Sequence, residues 1–377
     1  MSARVYLDNN ATTALEEATL ELLSTASRTY FGNPSSVHRS GQEAKAQLLK
    51  AREMIASALG VSPQEIVFTA TATEALNIVL RGYLSQHPRG HVITSNLEHA
   101  AVFQTLTALQ AAGQDVTFLQ GGMYGAVEPE AVAKAIQSTT KLICLMAVNN
   151  ETGVMTDIEA IAALAQSHNI PFVVDAVALF GKECFQIPAG VSAICFSGHK
   201  FHAPKGIGFM WVRKTLKLQP LITGGDQEGG RRAGTENLPA ILALAEAVRR
   251  TKECLQETAT KMRALRDAFE AHIFERCRGV SINGQGPRVS NTSNLCFEGI
   301  DGEALLMYLD MQGVEASLGS ACASGALEPS RILRNMGLSH KDALASLRFS
   351  LSRYTTQEEI VRAVDVIVQG VNLQRNK

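Results

Sequence analysis

From about Leu15 to Asn237, short apolar runs alternate with stretches of helical periodicity, and this alternation constrains the fold more than any other feature. Glu65-Ile-Val-Phe68, His91-Val-Ile-Thr94, Leu142 to Val148, Pro171-Phe-Val-Val174 and Ala193-Ile-Cys-Phe196 are too short for helices and lack polar alternation. Each reads as a strand buried on both faces. Between two of them, Ile158 to His168 carries apolar residues at helical spacing. Such a pattern predicts an α/β fold with a mostly parallel sheet.

The character then changes. Leu238 to Cys277 reads as one long charged helix, suited to connecting two domains. Beyond it, Asn294-Leu-Cys-Phe297 and Ser346 to Leu351 predict strands, and Gly302 to Met311 and Thr356 to Val368 predict helices. The second helix opens on a capping-box pattern, Thr356-x-x-Glu359. A chain of 377 residues is too long for one small core. The expected division is a large α/β domain over 16–255 and a small α+β domain made of 1–15 and 256–377.

Composition narrows the function classes. Hydrophobic residues make up 46% and charged residues 19%, the profile of a globular protein and not of a disordered one. Thirty-five basic residues oppose thirty-six acidic ones with no basic block, which argues against a nucleic-acid partner. The segment Met1 to Asn10 lacks a signal-peptide layout, and no apolar run reaches membrane-spanning length. A cytoplasmic protein is therefore expected. The seven cysteines form no Cys-x-x-Cys pair, and an odd number does not fit a disulfide framework or a zinc site. Most lie inside apolar runs and read as small buried hydrophobes. Cys322 differs, because Leu318-Gly-Ser-Ala-Cys-Ala-Ser-Gly-Ala326 offers only small residues that cannot anchor a core. The expectation there is a loop with an exposed thiol.

The most informative segment is Cys195-Phe-Ser-Gly-His-Lys200, where a strand ends at Ser197, His199 and Lys200. A lysine at a strand end is ordinarily a solvated one. Beside the ligand-binding edge of a sheet it is a Schiff-base candidate, because burial lowers its pKa and leaves it nucleophilic. Lys205 competes on chemistry, but its Pro-Lys-Gly setting reads as a turn. Three further segments supply matching chemistry. Ala72 and Thr73 open a helix after a strand, where free N–H groups hold phosphates, although a plain N-cap looks the same. Asp175 ends a strand, where a carboxylate can pair with a protonated pyridine nitrogen or simply cap a helix. His99 follows another strand by a short loop, placed to stack on a ring and shuttle protons, or to be surface. Their occurrence together at like strand ends carries the argument.

These segments, with Tyr6-Leu-Asp-Asn-Asn-Ala-Thr-Thr13, Gly32-Asn-Pro-Ser-Ser36, Asn149-Asn-Glu-Thr-Gly153, Arg232-Ala-Gly-Thr-Glu-Asn237, Gly319-Ser-Ala-Cys322 and Arg348-Phe-Ser350, make a recognisable set. The sequence resembles, nearly end to end, the cysteine desulfurases of the fold-type I pyridoxal-phosphate enzymes, in particular the nitrogen-fixation and iron–sulfur-cluster group. The resemblance implies pyridoxal 5'-phosphate on Lys200, Asp175 at the pyridine nitrogen and His99 as stacking acid/base. It implies that Ala72, Thr73, Ser197 and His199 hold the phosphate, and that Thr235 reaches the neighbouring subunit's cofactor. Asn150 would lie near the ring hydroxyl and the substrate, and Arg348 would bind the carboxylate of L-cysteine. Cys322 would take the sulfur as a persulfide, leaving alanine, and pass it to an acceptor protein such as an iron–sulfur scaffold. The family is homodimeric. No metal is implied.

Strand alternation supports one of these roles independently, placing Leu347, Phe349 and Leu351 on one face and Arg348 with Ser350 on the other. An arginine aimed away from an apolar face can hold a carboxylate through two parallel hydrogen bonds. Three positions depart from the family pattern. Ala178 stands where a glutamine usually contacts the cofactor's ring oxygen, Thr71 where glycine is usual, and Ala14 where proline is usual. Two rival readings follow. An aminotransferase or another lyase of the same fold would need the Lys–Asp–His set but not the Cys322 thiol. A catalytically weakened homologue acting as a sulfur relay would rest on Ala178 alone.

Overall fold

The computed structural model describes residues 4–319 and 328–376. In chain order the strands are β1 (Val5–Tyr6), β2 (Ile66–Thr69), β3 (His91–Ser95), β4 (Asp115–Leu119), β5 (Thr140–Met146), β6 (Phe172–Asp175), β7 (Val191–Ser197), β8 (Gly208–Val212), β9 (Val280–Ile282), β10 (Thr292–Phe297), β11 (Val314–Glu315) and β12 (Ser346–Ser350). Seven of them form one sheet in the order β2-β8-β7-β6-β5-β3-β4. Only β8 runs against its neighbours, and the remaining pairs are parallel. The expected α/β sheet is present, and its strands β6 and β8 are buried along their whole length, as continuous apolar runs require.

Apolar clusters cover both faces of this sheet. Phe172, Val174, Ile194, Phe196 and Phe209 point to one side, toward the helices Arg39–Leu59 and Leu238–Arg276. Val173, Ala193, Cys195 and Met210 point to the other, toward the helix Ala72–Leu84. Successive residues of one strand thus enter opposite clusters, the period-two signature of a pleated sheet.

A third cluster is built on β10 and β12, with Leu295, Phe297, Leu347, Phe349 and Leu351 beneath the helices Gly302–Met311 and Gln357–Arg375. Val5 and Leu7 join it from the N-terminus. The helix Leu238–Arg276 runs through both regions. Its first half buries Ile241, Leu244 and Val248 against the large sheet, and its second half buries Leu265, Phe269 and Ile273 in the third cluster. The predicted capping box is present: Thr356 Oγ1 accepts from Glu359 N at 3.2 Å, and Glu359 Oε2 accepts from Thr356 N at 2.9 Å. No helix among the described residues is long and apolar enough to cross a membrane.

Candidate active site

Parallel strands end on the same edge of a sheet, and the turns beyond those ends form the usual ligand crevice of an open α/β sheet. Here β2, β3, β5, β6 and β7 deliver Ala72 and Thr73, His99, Asn150, Asp175, and Ser197 with His199 and Lys200 to one edge. Together with Arg348 from β12, all of them line one cavity of about 270 Å³. Ala178 lines it as well. Thr235 is exposed and does not line this cavity of its own chain. Cys322 lies outside the described residues.

Asp175 is the last residue of β6 and is buried; its Oδ1 accepts from Val177 N at 3.0 Å. Burial pushes its carboxyl upward, and neighbouring His99 and Lys200 pull it back. His99 caps the helix Ala100–Ala111, its Nδ1 accepting from Ala101 N at 3.1 Å. That bond assigns the ring proton to Nε2. Burial holds the imidazole pKa below its ordinary value, opposed by Asp175 and assisted by Lys200 and Arg331.

Lys200 ends a tight turn, Gly198–Lys200, directly after β7. Its Nζ donates to the carbonyls of Asn10 and, at 2.9 Å, Ala11. Thr13 N reaches back to His199 O at 2.9 Å, so the N-terminal segment is stitched across the lysine turn. His199 shares a hydrogen bond with Thr12 Oγ1 at 3.1 Å, and burial with nearby Lys200 lowers its pKa to about 4.

At the start of the helix Ala72–Leu84, Thr71 is in extended backbone and its Oγ1 accepts from Glu74 N at 3.1 Å. A side chain at this position therefore caps the helix at no backbone cost. Gly208 supports the same turn from below, because a Cβ there would stand 2.7 Å from Phe196 O and 3.2 Å from the Thr71 carbonyl carbon. The N–H groups of Ala72 and Thr73 have no acceptor within their own helix, the ordinary state of a first helical turn.

On the opposite wall, Arg348 is 2% exposed. Its Nη2 lies 2.8 Å from Asp8 Oδ1 and its Nη1 3.0 Å from Asn150 O. Arg348 Nε and Asn150 Oδ1 are buried with no partner among the described residues. Alternation along β12 placed the arginine correctly, since Leu347, Phe349 and Leu351 all enter the third apolar cluster. The other face is not half-exposed, because the N-terminal segment covers it: Ser350 Oγ accepts from Asn10 N at 2.8 Å.

Two ionisable groups at the site carried no signal in the sequence. Lys182 lines the cavity and donates to the Lys200 carbonyl, and burial with the nearby Lys200 charge lowers its amine to about 7. Glu98 is fully buried; its Oε1 accepts from Ser95 Oγ at 2.6 Å, and Oε2 has no partner among the described residues. Burial raises its carboxyl to about 8, so it is a neutral acid at pH 7. Both sit within otherwise apolar or turn-like stretches, Leu179-Phe-Gly-Lys182 and Asn96-Leu-Glu98, where nothing local distinguishes them from surface charges.

The residues present fit pyridoxal phosphate. An amine, a buried carboxylate, an imidazole and a helix N-terminus surround one cavity, and Asn150 and Arg348, each with one unpartnered buried polar atom among the described residues, line it as well. No group of three or more metal-ligating side chains occurs among the described residues.

The family model described as "Aminotransferase class-V" matches residues 5–362. The chain is 39% identical to the cysteine desulfurase of Nostoc sp. (strain PCC 7120), over 98% of this chain and 94% of that one. It is likewise 39% identical to the cysteine desulfurase NifS of Azotobacter vinelandii, over 99% and 94% of the two chains. Among solved structures, a NifS-like protein superposes with a TM-score of 0.92 at 34% identity, covering 98% of this chain and all of its own. With a sheet, a lysine turn and a helix N-terminus arranged as described, the chain belongs to the pyridoxal-phosphate-dependent class-V aminotransferase family, alongside relatives named cysteine desulfurases.

Proposed function

We propose that this chain is a cysteine desulfurase, taking sulfur from L-cysteine onto Cys322 and leaving L-alanine. The observation that supports it most is the gathering of Lys200, Asp175, His99, the Ala72–Thr73 helix start and Arg348 around one cavity. Pyridoxal phosphate bound there supplies an electron sink for bonds to the α-carbon of an amino acid.

In this reading Lys200 Nζ is the amine that would hold the cofactor and would move the substrate α-proton. Ala72, Thr73, Ser197 and His199 hold the phosphate, using N–H donors and hydroxyls at a helix start. The buried Asp175 carboxylate would keep a proton on the cofactor's ring nitrogen. His99 would lie against the cofactor, with Nε2 able to exchange a proton. Arg348 fixes the substrate carboxylate, and Asn150 contributes beside it. The Cys322 thiolate attacks the substrate sulfur, forming a sulfur–sulfur bond as the carbon–sulfur bond breaks. The electron pair left on carbon takes up a proton, giving alanine.

The reading extends to a homodimer working in the cytoplasm, in which Thr235 reaches the phosphate of the neighbouring subunit. It keeps the division into a large domain over 16–255 and a small one made of 1–15 and 256–377. An acceptor protein, of the iron–sulfur scaffold kind, receives the sulfur. Incubation of the purified full-length protein with pyridoxal phosphate and L-cysteine tests the activity. Equal amounts of alanine and sulfide in the presence of a thiol reductant are expected; pyruvate with sulfide, or no turnover, would contradict it.

A further inference from the structure

His99 follows a turn, Asn96 to Glu98, whose carbonyls are gathered by one side chain from far along the sequence. Arg331 donates Nη1 to Asn96 O and Nη2 to Glu98 O, with its guanidinium carbon 3.9 Å from the Phe103 ring centroid. Asn335, one turn later, donates Nδ2 to Asn96 O at 2.8 Å. The same short helix, Arg331–Asn335, is capped by Ser330, whose Oγ accepts from Leu333 N at 3.2 Å and donates to Glu151 Oε2. Glu151 also abuts Gly319, where a Cβ would stand 2.9 Å from Oε2. One buried carboxylate thus meets residues on both sides of the segment that carries Cys322.

We infer that Arg331 is a positioning residue for His99, tying the turn that carries the imidazole to the base of the segment that carries Cys322. The inference rests on His99 being the acid/base group of the function proposed above. A guanidinium suits this place because its planar fork satisfies two carbonyls at once and stacks on Phe103, which an ammonium cannot do. It acts on His99 in two separable ways. The fork fixes the turn, and the positive charge disfavours a second charge on the imidazole. Among the described residues, the charged groups that act on His99 are Asp175 from β6, Lys200 from the turn after β7, and Arg331. Asp175 favours the protonated ring, whereas Lys200 and Arg331 oppose it, in the same sense as burial.

Two variants of the full-length protein as purified separate these effects. Arg331→Met removes both fork and charge, and Arg331→Lys keeps only the charge. Hydrogen exchange reads the turn, and histidine-ring NMR reads the imidazole, with the His99 signal identified by its loss in His99→Gln. In Arg331→Met, exchange over 96–101 and 328–335 should rise about tenfold, with 357–375 unchanged, and the His99 titration should move upward. In Arg331→Lys, exchange should rise similarly while the His99 titration stays near its wild-type position. Unchanged exchange and titration in Arg331→Met would overturn the inference. So would increased exchange in that variant with an unmoved titration, which would make the arginine merely structural. Neither readout depends on turnover, so an inactive wild-type protein would sink the proposed function without deciding this point.

Discussion

Arg348 Nη2 stands 2.8 Å from Asp8 Oδ1, so the guanidinium proposed to hold the substrate carboxylate is already aimed by another carboxylate. Asp8 occupies one arm of the fork, the Asn150 carbonyl another, and Nε remains without a partner among the described residues. Lysine at position 348 would keep the charge and lose the fork. Hydrogen bonds to charged groups contribute about 1.5–3 kcal/mol, so Arg348→Lys should raise the KM for cysteine roughly 10- to 100-fold. Asp8→Asn should raise it less, because the remaining amide oxygen still accepts from Nη2. Steady-state kinetics of both variants checks this, and an unchanged KM in Arg348→Lys would remove the arginine from substrate binding.

Lys200 and Lys182 both line the cavity, and Lys182 Nζ donates to the Lys200 carbonyl. Two amines are therefore candidates for the covalent cofactor, although Lys200 alone belongs to the strand-end turn. Borohydride reduction followed by peptide mapping should place the label on Lys200. Lys200→Ala should abolish it and Lys182→Met should not. Label on Lys182 or Lys205 would refute the assignment.

The Lys182 amine carries a stability signature. Its folded pKa, about 7, lies below the ordinary lysine value of 10.5. Between these values the unfolded chain binds a proton that the native chain does not, so unfolding free energy should rise with pH from about 7 toward 10.5. Lys182→Met removes a buried group that must be charged below pH 7, and should be neutral to stabilising there, by up to about 4 kcal/mol. Urea unfolding of the two proteins across this pH range checks both the slope and its loss.

Much of this was legible in the sequence, and the reasons are local. Continuous runs such as Pro171-Phe-Val-Val174 betray a strand buried on both faces, and β6 lies there at Phe172–Asp175. The helix Gly302–Met311 and the Thr356 cap were equally readable. The edge strand β4 was not predicted, because Asp115-Val-Thr-Phe-Leu119 is only partly buried and looks like a loop end. The antiparallel strand β8 was missed because it begins at Gly208, in the glycine-bearing stretch that follows the lysine turn and itself reads as a turn. At the site, Arg348 was predictable because alternation reports which face a residue takes. Asp8, Glu98, Lys182 and Arg331 were not. Their roles arise from contacts such as Asp8 with Arg348, and Arg331 with the Asn96 turn, that no local pattern encodes.

Ala178 lines the cavity at the position where the family pattern leads one to expect a glutamine, and it offers no side-chain donor. The loss amounts to one neutral hydrogen bond, about 1 kcal/mol. Asn150 lines the same space and can offset part of it. Ala178→Gln should shift the pH dependence of the bound cofactor's visible absorbance while leaving the Lys200 linkage intact. A titration curve superimposable on the wild type would show that another donor already fills the role.

In the proposed reaction cysteine sulfur passes through Cys322. In the proposed roles Lys200 and Arg348 prepare the substrate and Cys322 acts on the sulfur alone, so Cys322→Ser should bind cofactor and cysteine normally. The most direct measurement is mass spectrometry of the Cys322 peptide after a single turnover with L-cysteine, alongside alanine release by the Cys322→Ser variant. One added sulfur atom on Cys322 is expected in the wild type, and no alanine above background from the variant. Alanine released by Cys322→Ser at the wild-type rate, with the wild-type peptide unmodified, would contradict it.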